Sequence, residues 1–220
     1  MASKPWHAWS GALGLGLVFV ALFLPGPPPK TDDTAAALTA NLTEHRTALV
    51  DGILVAGLGV MALLWFFGVL TNTLRRDNPS GSYAHAAFAG GIAGTLLIFV
   101  GMLLFSGTAF RAAGMGDQTL VRATVDTGNM LIETGKYGFA VLILATCAAA
   151  SHSSLLSRRM ILAGAVAATI LALSTIPPFL AGHGVGQFGG GIDVLGGIPG
   201  FVWIFVLSAQ LARRPERTCS

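Results

Sequence analysis

Six long apolar runs, separated by short polar stretches, follow one another along the chain. They lie at about 8–25, 47–72, 84–106, 129–151, 160–181 and 194–212. A helix needs roughly 20 apolar residues to cross a hydrocarbon core about 30 Å thick. The pattern therefore predicts an all-α fold, a membrane helix bundle in which residues 1–220 form one domain with six transmembrane helices. The predicted outer loops are 26–46, 107–128 and 182–193.

The fourth apolar run is interrupted by charge. Its continuous apolar part, Gly138 to Ser151, is too short to cross a membrane alone. The span must therefore begin upstream, which places Glu133 and Lys136 within it.

Composition agrees with the membrane interpretation. The chain is 53% hydrophobic and 10% charged, more apolar than one soluble domain of 220 residues can hide. Its Lys and Arg residues lie in pairs at the ends of apolar runs rather than on one face, so we expect no nucleic-acid partner. Cys147 lies in an apolar run and Cys219 in a basic tail, so we predict no disulfide.

The distribution of positive charge predicts the orientation. Eight basic residues fall on one side of the six spans: Lys4, Arg75, Arg76, Arg158, Arg159, Arg213, Arg214 and Arg217. Four fall on the other: Lys30, Arg46, Arg111 and Arg122. Because cytoplasmic loops carry the excess of Lys and Arg, both termini are expected in the cytoplasm. The first run lacks a small-x-small cleavage site and is expected to remain as an anchor.

Two outer segments have distinct compositions. Residues 34–46, after a proline run, predict a short amphipathic helix. In the last outer loop, Gly184, Gly186 and Gly189 match the spacing of a dinucleotide-binding turn. No strand precedes this loop and it lies on the outer side, so we expect no nucleotide. It is interpreted as a flexible loop or a mobile lid.

The ionisable residues near span four are the first candidate site, because charges within a bilayer are costly. Asp126, Glu133 and Tyr137 lie near one helical face, and Lys136 is close enough to Glu133 to pair with it. One interpretation is an interfacial anchor in which the pair and Tyr137 face the membrane surface. The other is an outward-opening polar pocket formed by Asp51, Asp126, Glu133 and Lys136.

The histidines form a second candidate site. His45 and His183 fall at outer span ends, and His85 and His152 at inner ones. Such pairs suggest two haems with bis-histidine ligation, although axial ligands normally lie inside the helices. Interfacial histidines are the alternative. No other cofactor is expected, and the spacing predicts no zinc or other metal site.

Small residues recur at helical spacing and predict close helix packing. They are Gly11, Gly14 and Gly16 in span one, Gly52, Gly57 and Gly59 in span two, and Ala86, Gly90 and Gly94 in span three. These faces indicate contacts within one chain, or else a dimer seam. The chain contains none of the familiar catalytic motifs, so no catalytic residue is predicted.

The order of several short motifs resembles a group of uncharacterised six-span membrane proteins from actinobacteria. The motifs are Leu24-Pro25-Gly26, Asp32-Asp33, His45-Arg46, Leu64-Trp65-Phe66-Phe67-Gly68, Leu74-Arg75-Arg76, Phe88-Ala89-Gly90-Gly91 and Asp126-x-Gly128-Asn129. The resemblance covers most of residues 20–150. It implies a helical bundle in the bacterial inner membrane and supplies no activity.

These observations predict a non-enzymatic membrane protein. It is expected to be an accessory subunit of a membrane complex, or a binder of a lipid or other apolar small molecule. Its expected partners are the bilayer and either another membrane protein or a second copy of itself. The alternatives are an enzyme or proton-coupled transporter that uses Asp51, Glu133 and Lys136, and a di-haem electron carrier.

Overall fold

Seven helices make up almost all of the structure, a computed structural model that describes residues 6–26, 33–77, 81–112, 117–176 and 191–213. They are α1 (Trp6–Phe23), α2 (Ala35–Glu44), α3 (Arg46–Asp77), α4 (Ser82–Gly107), α5 (Gln118–Ser151), α6 (Arg158–Ser174) and α7 (Gly191–Ala212). One π-helical turn, Thr108–Ala112, follows α4. These described ranges contain no strand, and the all-helical prediction is confirmed.

Polar caps begin three of the helices. The side chains of Thr34, Asp117 and Ser157 each accept a hydrogen bond from a backbone N–H in the first turn, at the start of α2, α5 and α6. Because of the Asp117 cap, α5 begins at Gln118, and residues 118–128 are helical where an outer loop was predicted. The short helix predicted over 34–46 is present as α2.

Five helices form a ring. Neighbours in contact are α1 with α3, α3 with α4, α4 with α5, α5 with α7, and α7 with α1. The sixth long helix, α6, packs against α5 and α7 on the side where these two make only a small direct contact, and it adds Ala167, Ala168 and Leu171 to the core. Ser208 closes the ring, since its hydroxyl donates to the Ala8 carbonyl and accepts from the Ala12 N–H at 3.0 Å.

Glycines bring neighbouring helices into backbone contact. A Cβ on Gly14 would lie 2.7 Å from the Gly59 carbonyl oxygen, between α1 and α3. Gly90 and Gly94 make equally close approaches to α5. These predicted small-residue faces therefore pack within the chain. Ala86 differs, because it is exposed while Ala84 and Ala87 face the core, and Gly16 has no neighbour within 4 Å.

The outside of the bundle is apolar. Large exposed side chains include Leu54, Leu58, Met61, Leu162 and Val202. Three segments are long and apolar enough to cross a membrane: Arg46–Arg76, Ser82–Arg111 and Gln118–Ser151. Two shorter apolar segments are His7–Phe23 and Gly196–Ala212. An apolar exterior around such helices is typical of a membrane protein.

Candidate ligand-binding site

A cavity lies inside the ring, toward the end at which α5 and α7 begin. It has a volume of about 140 Å³ and is partly open to the outside. We call it the outer cavity. Its wall comes from α1, α2, α3, α4, α5 and α7 and is mostly apolar, with Phe19, Ile53, Met102, Ile132 and Phe201 among its residues. Pockets with an apolar wall and a few convergent polar groups are typical ligand sites.

One ion pair supplies the charge in the outer cavity. Lys136 Nζ lies 2.8 Å from both carboxylate oxygens of Glu133. Glu133 is 2% exposed and Lys136 is 8% exposed, so both are removed from solvent. The two residues are three apart on α5, where side chains lie on the same face. Since each charge neutralises the other, the pair stays in an apolar wall without a net charge.

Asn129 lies one turn before Glu133 on the same face of α5. It is 8% exposed and lines the outer cavity. Its Nδ2 atom has no hydrogen-bond partner among the described residues. A buried amide nitrogen without a partner is uncommon in proteins, because leaving it unpaired costs about 1–3 kcal/mol. Asn129 therefore presents a donor to whatever occupies the cavity.

Helix α2 covers part of the outer cavity. Leu38 and Leu42 pack against Ala109, Val121 and Val125. Asn41 and Leu42 also belong to the cavity wall. The Arg122 guanidinium donates to the Asp33 carbonyl at 2.9 Å, which fastens the start of this segment to α5. As a result the first turns of α5 and the short helix form one cap over the ring.

A second, smaller space continues into the ring from the outer cavity. This inner cavity has a volume of about 10 Å³, roughly the room for one water molecule, and includes Met102 and Phe201, which also line the outer cavity. Its other residues are apolar apart from Thr95. Thr95 is 2% exposed, and its Oγ1 has no hydrogen-bond partner in the described part of the chain. The two cavities therefore meet at Met102 and Phe201, and each contains one unpaired polar atom.

Only part of the predicted polar pocket is present in the structure. Glu133 and Lys136 lie together in the cavity wall, as the pocket interpretation expects. Asp51 is exposed and lies outside that wall, although the next two residues of α3 belong to it. Asp126 pairs instead with Arg122 at 3.6 Å, and both side chains are partly exposed. Tyr137 is exposed, because it lies on the side of Glu133 away from Lys136.

The described histidines lie at helix ends. His45 follows α2, with its Nδ1 atom 3.0 Å from the Asn41 carbonyl oxygen. His85 lies in the first turn of α4, and His152 caps α5, where its ring stacks on Tyr83 with 6.4 Å between centroids. His183 and the glycines at 184, 186 and 189 lie outside the described residues. No cluster of three or more metal-ligating side chains occurs within the described ranges.

Asn129 and Thr95 are the site residues that the sequence pattern did not predict. Both are single uncharged polar residues in apolar helices, and such residues usually bond to their own helix. A possible signal for Asn129 was its spacing of four from Glu133. Nothing in the sequence distinguishes Thr95 from the other threonines.

Comparisons of the chain with protein-family models, curated proteins and solved structures found no match. The resemblance to six-span actinobacterial membrane proteins stays a prediction based on the order of its motifs.

Proposed function

We propose that this chain is a six-span protein of the bacterial inner membrane that binds a lipid-like small molecule in its outer cavity. The observation that carries the proposal is the unpaired Asn129 amide beside the Glu133–Lys136 pair, in a cavity whose wall is otherwise mostly apolar. A ligand with a polar head and an apolar body matches both parts of that wall.

The six spans and the orientation belong to the same proposal. Three segments with spanning length, two shorter apolar segments and α6 give six helices around or against the ring. Arg75, Arg158 and Arg213 lie at one end of the bundle, while α2 and the outer cavity lie at the other. By the positive-inside rule the end with these arginines is cytoplasmic, so the cavity opens toward the outer leaflet.

Access from the bilayer is supported by residues that belong to both the cavity and the exterior. Phe19 and Phe23 of α1 and Ile198 of α7 line the outer cavity, yet they are 46%, 37% and 39% exposed. Helices α1 and α7 are neighbours in the ring. A molecule dissolved in the membrane therefore has an apolar route between them, which favours a lipid-like ligand over a water-soluble one.

Identification of the bound molecule tests the proposal. The protein is purified in a mild detergent, the preparation is extracted with organic solvent, and the extract is analysed by mass spectrometry. We expect one lipid-like compound at about one molecule per chain. Its share of the extract should exceed its share of the membrane lipids. A preparation that retains its fold and carries only bulk lipid would contradict the proposal. A membrane protein that travels with the chain at fixed stoichiometry would favour the accessory-subunit role instead.

Two neighbouring substitutions provide the matched control. Ile53→Trp adds volume inside the outer cavity, because Ile53 lines it. Leu54→Trp adds the same ring to a residue that is 68% exposed on the outside. The enriched compound is expected to be lost in the first variant and retained in the second. Equal retention in both variants would place the compound elsewhere on the protein.

A proton-coupled transporter is the second candidate, because the Glu133–Lys136 pair is buried in the ring. Buried ionisable residues in membrane helices often handle protons. Asp51 lies outside the cavity wall, so this role would rest on the pair alone. In a transporter of this kind, ligand binding releases protons, which can be measured in weakly buffered detergent solution. Proton release that Glu133→Gln abolishes would favour the transporter role.

A further inference from the structure

Two unpaired polar atoms face the two adjacent cavities. Asn129 Nδ2 belongs to the outer cavity and Thr95 Oγ1 to the inner one, and both side chains are more than nine-tenths buried. Since burial without a partner is unfavourable for each atom, a molecule that occupies the junction gains from bonding to both.

Thr95 differs in its hydrogen bonding from ten other threonines. Ten threonine hydroxyls donate to the carbonyl four residues earlier: Thr39, Thr43, Thr71, Thr73, Thr108, Thr124, Thr127, Thr134, Thr146 and Thr169. This local bond is the usual way to satisfy a threonine in an apolar helix. The Thr95 hydroxyl does not form this bond, so it can donate to a molecule in the inner cavity.

The contact between α4 and α5 fixes how far apart the two polar groups lie. The helices are antiparallel, with Gly101 opposite Gly128 and Gly94 opposite Gly135. Asn129 is therefore level with about residue 100 of α4. Thr95 lies five residues further along, about 8 Å at a rise of about 1.5 Å per residue. A ligand that bonds to both groups therefore needs two acceptor atoms that are separated along the helix axis.

The junction between the cavities suits a flat ring. Met102 and Phe201 line both spaces. Phe201 also meets Phe139 edge to face, with 5.9 Å between ring centroids. Thioether and aromatic side chains pack well against flat rings. The wall at this point is therefore adapted to a ring rather than only to a flexible chain.

The charges in the cavity wall indicate which net charge the ligand has. The charged residues in the described wall of the outer cavity are Glu133 and Lys136, and they neutralise each other. The wall of the inner cavity has none among its described residues. A charged head would lose its hydration without meeting an opposite charge of its own. The site therefore suits an uncharged ligand.

We infer that the ligand of this site is an uncharged lipid whose ring-shaped head carries carbonyl oxygens at opposite edges, the chemistry of an isoprenoid para-quinone. One oxygen accepts from Asn129 Nδ2 and the other from Thr95 Oγ1. The ring lies between Met102 and Phe201, and the chain leaves between α1 and α7 along Phe19 and Ile198. This inference rests on the proposed function and specifies its ligand.

Binding of defined probes tests the inference. The full-length protein in detergent is titrated with a short-chain para-benzoquinone lipid, with a cyclohexenone lipid of the same chain length, whose ring has one carbonyl, and with a monoacylglycerol. We expect the quinone to bind most tightly. Asn129→Leu and Thr95→Val are each expected to weaken its binding roughly five- to tenfold, the loss of one net hydrogen bond. The control is Thr146→Val, which removes a buried hydroxyl that bonds to Leu142 away from the cavities.

The outcomes separate this inference from the proposed function. Thr95→Val should leave the binding of the one-carbonyl ring and of the monoacylglycerol unchanged. If the protein retains an enriched membrane compound but binds the quinone no better than the monoacylglycerol, the ligand class is wrong and the lipid-binding role stands. The ligand class is also wrong if quinone binding is equally insensitive to Asn129→Leu, Thr95→Val and Thr146→Val. If no probe binds and extraction gives only bulk lipid, both proposals are wrong.

Discussion

Gly94 of α4 and Gly135 of α5 lie so close that neither position has room for a side chain. A Cβ on Gly94 would be 2.7 Å from the Gly135 carbonyl oxygen, and a Cβ on Gly135 would be 2.9 Å from the Gly94 carbonyl oxygen. The backbones of the two helices are therefore in direct contact. This contact fixes the heights of Thr95 and Asn129 on two neighbouring helices of the cavity wall.

Gly94→Ala is expected to destabilise the protein by about 1–3 kcal/mol, because overpacking forces the helices apart. Gly16→Ala is the control, since no atom lies within 4 Å of the Cβ it would add. Its effect is expected to be neutral or to stabilise by up to about 1 kcal/mol through helix propensity. Thermal unfolding in one detergent compares the two variants. Equal effects would mean that α4 and α5 do not meet at Gly94.

Removing one partner of the Glu133–Lys136 pair should be more harmful than removing both. Glu133→Leu or Lys136→Met leaves a buried charge without its partner, for which about 3–5 kcal/mol is a typical loss. The double variant replaces the pair with apolar side chains and should be more stable than either single variant. Chemical denaturation in mixed micelles provides the three free energies of unfolding.

The exposed ion pair on the same helix is the control for that experiment. Asp126→Asn breaks the contact with Arg122, whose side chain is partly exposed like that of Asp126. A loss below about 1 kcal/mol is expected for such a pair. If single substitutions at Glu133 or Lys136 lower the free energy of unfolding as little as Asp126→Asn does, the pair is not buried in the folded protein.

Closure of the ring depends on the Ser208 hydroxyl. Ser208→Ala removes the contacts of α7 with Ala8 and Ala12 of α1. The expected loss is about 1 kcal/mol, the net value of a hydrogen bond, because Ala8 and Ala12 lie four residues apart in α1 and can still pair with each other. Ser151→Ala removes only a local, exposed bond to Ala148 and should be neutral. Differential scanning calorimetry of the two variants measures the difference, and no difference would argue against the contact between α1 and α7.

The orientation predicts which loops a membrane-impermeant maleimide reaches in intact cells. In a background with Cys147 and Cys219 replaced by serine, Gln118→Cys lies at the exposed start of α5 and should be labelled from outside. Ser154→Cys lies in the exposed connection to α6 and should be labelled only after lysis. The reverse pattern would invert the orientation.

The sequence predicts the helices and the ion pair because both depend on local spacing. Apolar runs indicate the helices, and a spacing of three residues is enough to bring Lys136 to Glu133. It also predicts the packing of Gly14, Gly90 and Gly94, since small residues favour close contact.

The position of Asp51 depends on the rotation of α3, which the sequence does not reveal. The helix is apolar on all sides between residues 53 and 70, so no polar face indicates which side turns inward. The cavities are similarly hidden, because they arise from five helices meeting as a ring. Asn129 and Thr95 acquire a role only through that arrangement.

Contacts between a bound lipid and isoleucine methyl groups test the central claim most directly. Ile132 lines the outer cavity, Ile98 lines the inner one at 7% exposure, and Ile170 is exposed on the outside. Methyl-labelled protein in deuterated detergent is examined by NMR for nuclear Overhauser effects to the co-purified lipid. We predict cross-peaks from that lipid to Ile132 and Ile98. Cross-peaks to Ile170 alone, with water at Ile132, would contradict a lipid-binding cavity.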